Sequence, residues 1–133
     1  MSDFKIINDP VHGTIKISGP LLQLASTPEI NRLNQIKQLG LAYLVFPGAH
    51  HTRYEHSFGV AHVAGLLARG LGLDESEVQL VQVAGLLHDL GHGPFSHTME
   101  KIFHDRIGKD HMAITRDIIM GDVDQWEEGW WQK

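Results

Sequence analysis

Leu86-Leu87-His88-Asp89-Leu90-Gly91-His92-Gly93-Pro94-Phe95-Ser96-His97 decides the reading of this chain. An apolar run carries a His-Asp pair to its end, a Gly-Pro-containing turn breaks the helix there, and two more histidines follow. Imidazole and carboxylate together bind a borderline divalent cation while leaving positions for water. Working backwards, Asp74 followed by Glu77 has capping-box spacing. It opens the helix that delivers the pair, with Val78, Val81, Ala84, Gly85 and His88 on one side. That helix is expected to end at Gly91, with His88 and Asp89 converging beyond its terminus.

Further upstream, Thr52 and Glu55 repeat the capping-box spacing and start a helix in which Arg53 and His56 share a face. His56, Val60, Val63 and Leu67 form the expected inward stripe. Gly59 and Gly65 permit close helix contact, and Gly70 and Gly72 end the segment. Two inward imidazoles on helices that must pack together, with Asp89 beside them, make a plausible cation site. The spacing leaves a second reading open, in which the histidines are hydrogen-bonded structural residues. Arg53 is either a solvated charge or a phosphate contact. The glycines at 91 and 93 either terminate the helix or let the backbone approach a ligand.

The remaining elements follow from punctuation. Phe4-Lys5-Ile6-Ile7 and Thr14-Ile15-Lys16-Ile17 predict a hairpin around Asn8-Asp9-Pro10 and Gly13. Pro20 opens a short helix over Leu21 to Ala25. Thr27-Pro28 opens another that carries Ile30, Leu33 and Ile36 or Lys37 and ends at Gly40. Leu41 to Phe46 reads as a buried connection closed by Pro47-Gly48. A helix beginning near Phe95 puts His97 and Glu100 on one face. Asp110 caps a last helix with His111 in its first turn and Ile114, Ile118 and Ile119 on its buried side. From 122 to 133 the chain is acidic and holds Trp126, Trp130 and Trp131.

Composition narrows the function classes. A 133-residue chain with 42% hydrophobic and 20% charged residues suits one domain with a real core. A formal charge of −5, with scattered Lys and Arg, gives no strong nucleic-acid signal. There is no cysteine, so neither a disulfide framework nor a thiolate site is available. No secretory segment or run of membrane-spanning length is visible, which sets a cytoplasmic expectation. Of the ten histidines, His88, His92, His97, His104 and His111 fall close together, which points to metal or proton chemistry.

At these residues the chain resembles a known family. His56, then His88-Asp89 with Leu90 to His97, is similar to the HD-domain metal-dependent phosphohydrolases. Within them it resembles the deoxynucleoside triphosphate triphosphohydrolases of the SAM-and-HD-domain type. Asn8 to Gly13, Ile36 to Gly40, Val45 to Ala49 and His51 to Ser57 carry the likeness through the N-terminal half of that group, over roughly residues 4 to 120.

The resemblance implies a mainly α HD-domain bundle with a small N-terminal β-hairpin, here in truncated form. It implies a divalent transition metal (iron, manganese, zinc, nickel or cobalt) held by His56, His88, Asp89 and a later aspartate that lies beyond this chain's length. His92, Glu100 and His111 match positions for proton transfer and water activation; relatives can carry Asp in place of Glu100. His97 and Arg53 match phosphate contacts, and Gln38 and Leu39 match residues beside the sugar. Ser26 and Asn34 stand where nucleotide-regulated relatives have an acidic residue and an arginine, although Lys5 and Asn8 match. The expectation is therefore a domain over 1–121 and a Trp-rich tail over 122–133. It would hydrolyse a deoxynucleoside triphosphate to deoxynucleoside and triphosphate as a homo-oligomer without membrane attachment. The competing expectation is an inactive HD module that binds metal, nucleotide or a partner chain without turnover.

Overall fold

The computed structural model describes residues 3–122, apart from the side chains of Ser96, His97, Phe103 and Ile107. β1 (Phe4–Asp9) and β2 (Gly13–Ser18) pair antiparallel, in register from Phe4 with Ser18 to Asp9 with Gly13. Asp9 makes the turn by accepting the amides of Val11 and His12 at 2.8 and 2.7 Å. Alternation then sends Ile15 and Ile17 inward and Thr14 and Lys16 outward.

α1 (Gly19–Leu24) carries Pro20 in its first turn, and α2 (Pro28–Arg32) is capped by Thr27. α2 is shorter than the spacing of Ile30, Leu33 and Ile36 predicts. It tightens into a 3-10 turn at Leu33–Gln35, and Ile36 is extended. The reason lies far along the chain: Arg53 donates its amide to the Ile36 carbonyl, Gln38 donates to His51, and Lys37 bridges Thr52. Those bonds replace the helical ones, while Ile30, Leu33 and Ile36 all remain in the core.

The 41–46 run is not buried as expected. Leu44, Val45 and Phe46 are largely exposed. Ala42–Leu44 is a 3-10 turn whose backbone bonds close locally, Leu44 to Leu41 and Phe46 to Ala42, so the segment forms without core packing.

α3 (Arg53–Gly70) and α4 (Glu75–Leu87) are the principal packed pair, and each begins with the expected capping box, Thr52 with Glu55 and Asp74 with Glu77. The buried side of α3 differs from the predicted stripe. Arg53, Ser57, Phe58, Ala61, Gly65 and Ala68 are buried, whereas Val63 and Leu67 are exposed. Small residues win this face because α4 comes too close for larger ones. A Cβ on Gly85 would stand 3.2 Å from the Ala61 Cα, and one on Gly65 would overlap the Gln82 side chain. Gly59 faces the His12 ring rather than a helix. Val60, Val63 and Leu67 instead line a cleft of about 730 Å³ between α3 and the Asp9–His12 turn.

On α4, Val78 is buried as expected and Val81, Gly85 and His88 are half-buried, but Ala84 is exposed and Leu86, outside the predicted stripe, is buried. α5 (Ser96–Ile107) follows, and then α6 (His111–Met120), capped by Asp110 and closed by Gly121 at φ 77°. Ile114 is buried and Ile118 half-buried, whereas Ile119 is exposed; Thr115 and Asp117 take the inward positions in its place. The last helix ends where expected, and the Trp-bearing stretch from 123 onward lies outside the described residues. Among the described residues no helix is long and apolar enough to cross a membrane.

The Asp74 cap gives an acid-sensitivity test. Hydrogen bonds from the Ser76 side chain and the Glu77 amide hold its carboxyl below the ordinary carboxylate value. A depressed folded value stabilises fully above the ordinary value and is lost as pH falls through the folded one. Asp74→Asn keeps a capping acceptor without that titration, so thermal melts of the variant should lose less stability between pH 5 and pH 3. Equal acid slopes would refute this account of the cap.

Candidate metal and proton-transfer site

The site forms where α4 stops. The helix ends at Leu87, earlier than the predicted Gly91, and His88 is its C-cap in helical conformation. Asp89 and Leu90 then turn, with Leu90 donating to Leu87 and His92 to Asp89. The left-handed residue that restarts the chain into α5 is Phe95, at φ 54°, rather than a glycine. Gly91 does not terminate the helix, which ends four residues earlier. A Cβ there would overlap the His111 carbonyl and the Thr115 amide and hydroxyl, so the missing side chain lets α6 close on the turn.

His56 from α3 and His88 and Asp89 from the turn after α4 converge. Their ligand atoms lie within 4.8 Å of one another. The His88 Nε2 stands 3.2 Å from Asp89 Oδ1 and the His56 Nε2 stands 3.7 Å from Oδ2. His88 Nδ1 lies 2.7 Å from the Gly85 carbonyl, which only an N–H can satisfy. That bond puts the proton on Nδ1 and leaves the Nε2 lone pair facing Asp89.

The electrostatics agree with a ligand set. Burial lowers the pKa of His56 and Asp89 opposes this, while the nearby Arg53 guanidinium adds to the lowering. Burial acting alone would raise Asp89, yet His88, Arg53, His92 and His56 outweigh it and hold the carboxylate ionised. Two imidazoles and an ionised carboxylate are the donors a divalent transition metal takes. The donor set therefore fits the expected cofactor and leaves its identity open.

Arg53 sits behind this set. It is 1% exposed, and its Nη1 donates to Asp89 Oδ2 at 2.6 Å, a protein partner where the sequence suggested solvent or phosphate.

A second cluster adjoins the first through Asp89. His92 is buried with its Nε2 3.5 Å from Asp89 Oδ1, and its ring stacks on His111 with centroids 4.1 Å apart and planes 14° apart. His111 Nδ1 lies 2.6 Å from Glu100 Oε1. The structure thus gathers His92, His111 and Glu100 from a turn and two helices. The His97 side chain lies outside what is described. Gln38, half-buried, and Leu39, exposed, form the turn after the pairing of residues 36–38 with 51–53, so they are tied to the start of α3 through backbone alone. Among the later aspartates of the chain, Asp117 is paired with Lys109 at 2.5 Å and Asp122 is exposed. Asp124 lies outside the described residues.

Residues 53–122, more than half of the chain and the span from Arg53 through α6, match the family model described as HD domain. The chain belongs to the HD-domain family. Its relatives include the human deoxynucleoside triphosphate triphosphohydrolase SAMHD1, 51% identical over 106 residues that make up 74% of this chain and 17% of that protein. Uncharacterized protein YwfO of Bacillus subtilis is 44% identical over 130 residues, 93% of this chain and 29% of that one. Uncharacterized protein MJ1154 of Methanocaldococcus jannaschii is 46% identical, over 90% of this chain and 31% of its own. The chain therefore spans less than a third of the length of these relatives.

Sequence reasoning missed two residues that shape this HD site. Arg32 donates to the carbonyls of His92 at 2.9 Å and Leu90 at 2.5 Å, and the Thr115 hydroxyl accepts the Gly91 amide at 2.8 Å. Neither belongs to a motif, because both act on backbone atoms far away in sequence. Only the hydroxyl of Thr115 on an otherwise apolar helix side could have drawn notice.

Gly91→Ala should separate α6 from the turn. Overpacking of this kind costs about 1–3 kcal/mol or more, and the His92–His111 stack should open with it. Urea unfolding of the variant checks the first expectation; an unchanged midpoint would refute the close approach.

Proposed function

We propose that this HD domain is the metal-binding and proton-transfer part of a nucleotide phosphohydrolase that converts a deoxynucleoside triphosphate to a deoxynucleoside and triphosphate. The observation that carries the reading is Asp89, whose carboxylate faces His56 and His88 on one side and His92 on the other. The substrate class comes from the named human relative.

His56, His88 and Asp89 would hold the divalent cation, which when bound would supply Lewis acidity to a phosphoryl oxygen and acidify water. Glu100 takes the Nδ1 proton of His111 in a hydrogen bond, so His111 Nε2 is left to accept a proton from attacking water or return one to the leaving oxygen. His92 stacks on His111 and orients it. Arg53 keeps Asp89 ionised from behind the ligand set, and His97 would contact phosphate with Gln38 and Leu39 beside the sugar.

A second reading is an HD module that binds metal or nucleotide without turnover. It draws on the metal group among the described residues having three protein ligands. One experiment separates them. The purified full chain is loaded with manganese or cobalt, its metal content is measured, and it is offered a panel of deoxynucleoside triphosphates. Triphosphate release with about one metal per chain supports the enzyme; metal without release supports the module. Absence of metal binding defeats the enzyme and the metal-binding form of the module; absence of both metal and nucleotide binding defeats the module as well.

A further inference from the structure

We propose that Arg32 and Thr115 are positioning residues that clamp the Leu90–His92 turn from two sides and thereby hold His92 against His111. The bearing of this clamp on catalysis rests on the hydrolase reading above; its geometry does not.

The turn emerges from the C-terminus of α4, where backbone groups have lost their helical partners and burial forbids leaving them unpaired. Leu90, Gly91 and His92 are all buried. The Leu90 and His92 amides are met by backbone, and their carbonyls and the Gly91 amide by side chains from outside the turn. The Arg32 guanidinium forks across the Leu90 and His92 carbonyls, and the Thr115 hydroxyl takes the Gly91 amide between them. An arginine in the last turn of a helix ordinarily turns back toward that helix's own carbonyls. Arg32 instead reaches carbonyls 58 and 60 residues away. Two carbonyls held by two N–H groups of one planar head is a geometry that lysine cannot reproduce.

From the other side, Thr115 and His111 are four apart on α6 and share a face. Fixing the Thr115 hydroxyl to Gly91 therefore fixes the height of His111 beside the turn. The absent Cβ of Gly91 is what lets the His111 carbonyl and Thr115 amide come so close. The same two anchors thus set both partners of the stack: Arg32 places His92 through its carbonyl, and Thr115 places His111 through its helix.

The test is the ring-current signature of the stack, read in the full chain with labelled histidine at fixed pH and without metal. The His92 and His111 ring resonances are assigned by His92→Gln and His111→Gln. Arg32→Ala and Thr115→Val should each move both rings toward unstacked imidazole positions while the amide spectrum of α3 stays native. Thr115→Ser should retain the wild-type shifts, and Arg32→Lys should recover only part of them. Wild-type ring positions in a folded Arg32→Ala or Thr115→Val chain would overturn the clamp. So would Thr115→Ser behaving like Thr115→Val. If Arg32→Ala does not fold, the valine and serine pair decides alone. In the same samples, Co²⁺ affinity should stay within a few-fold of wild type, as expected for residues that place His92 and His111 rather than the metal ligands. A wild-type chain that takes up no Co²⁺ counts against the metal reading only, and the ring comparison still decides the clamp.

Discussion

Asp89→Ala should abolish divalent metal uptake and lower folding stability by about 3–5 kcal/mol, the cost of stranding one member of a buried ion pair. The size follows from Arg53. Its side chain is 1% exposed and donates to Asp89 at 2.6 Å, so removing the carboxylate takes a short-range counter-charge from a buried cation. The two losses separate in a second variant. Asp89→Asn keeps an oxygen that accepts from Arg53 and costs less stability, but its neutral amide replaces the anionic ligand, so metal uptake stays lost. Urea unfolding and calorimetric titration with Co²⁺ measure both. An Asp89→Ala chain as stable as the parent would show that Arg53 does not depend on this pair, and retained Co²⁺ binding would remove Asp89 from the ligand set.

His111→Ala should leave metal uptake within a few-fold of the parent and lower kcat by about 10²- to 10⁴-fold, the range for losing a positioned acid or base. Distance and partners support that division. His111 stacks on His92 and bonds Glu100, while His56 and His88 gather around Asp89 with it. Glu100→Gln should give a smaller loss of kcat, because an amide oxygen still orients Nδ1–H but no longer stabilises the charged ring. Measured triphosphate release beside metal analysis tests the pair. If His111→Ala instead empties the metal site, His111 belongs with the ligands; if kcat is unchanged, the proton is moved by another group.

The contrast between these two clusters shows what a sequence can disclose. His56, His88 and Asp89 were legible because two capped helices with short connections have to pack side by side, and the ligands sit at corresponding ends. Each cap is a bond between residues three or fewer apart, so Thr52, Asp74 and Asp110 could be read directly and were found in place. The hairpin was legible for the same reason. The stacking of His92 on His111 was not, since it depends on how near α6 comes to the turn after α4.

Other departures have the same origin. The α3 stripe failed because burial there was decided by the closeness of α4, which admits Ser57, Ala61 and Gly65 and turns Val63 and Leu67 outward. The α2 helix stopped early because residues 51–53 offered backbone partners to residues 36–38. The apolar run at 41–46 lay outside the core because local bonds alone satisfy its backbone.

By itself, then, the sequence determined the helix starts, the hairpin, the HD lineage and the candidate ligands, all of which follow from short-range hydrogen bonds and from residue types that only certain chemistry uses. The tertiary structure alone decided which face of α3 is buried, that Arg53 is held by Asp89, and that Arg32 and Thr115 grip the turn. Those depend on backbone atoms brought together from distant segments, and a buried carbonyl or amide accepts any suitable donor or acceptor that packing delivers, leaving no pattern in the order of residues.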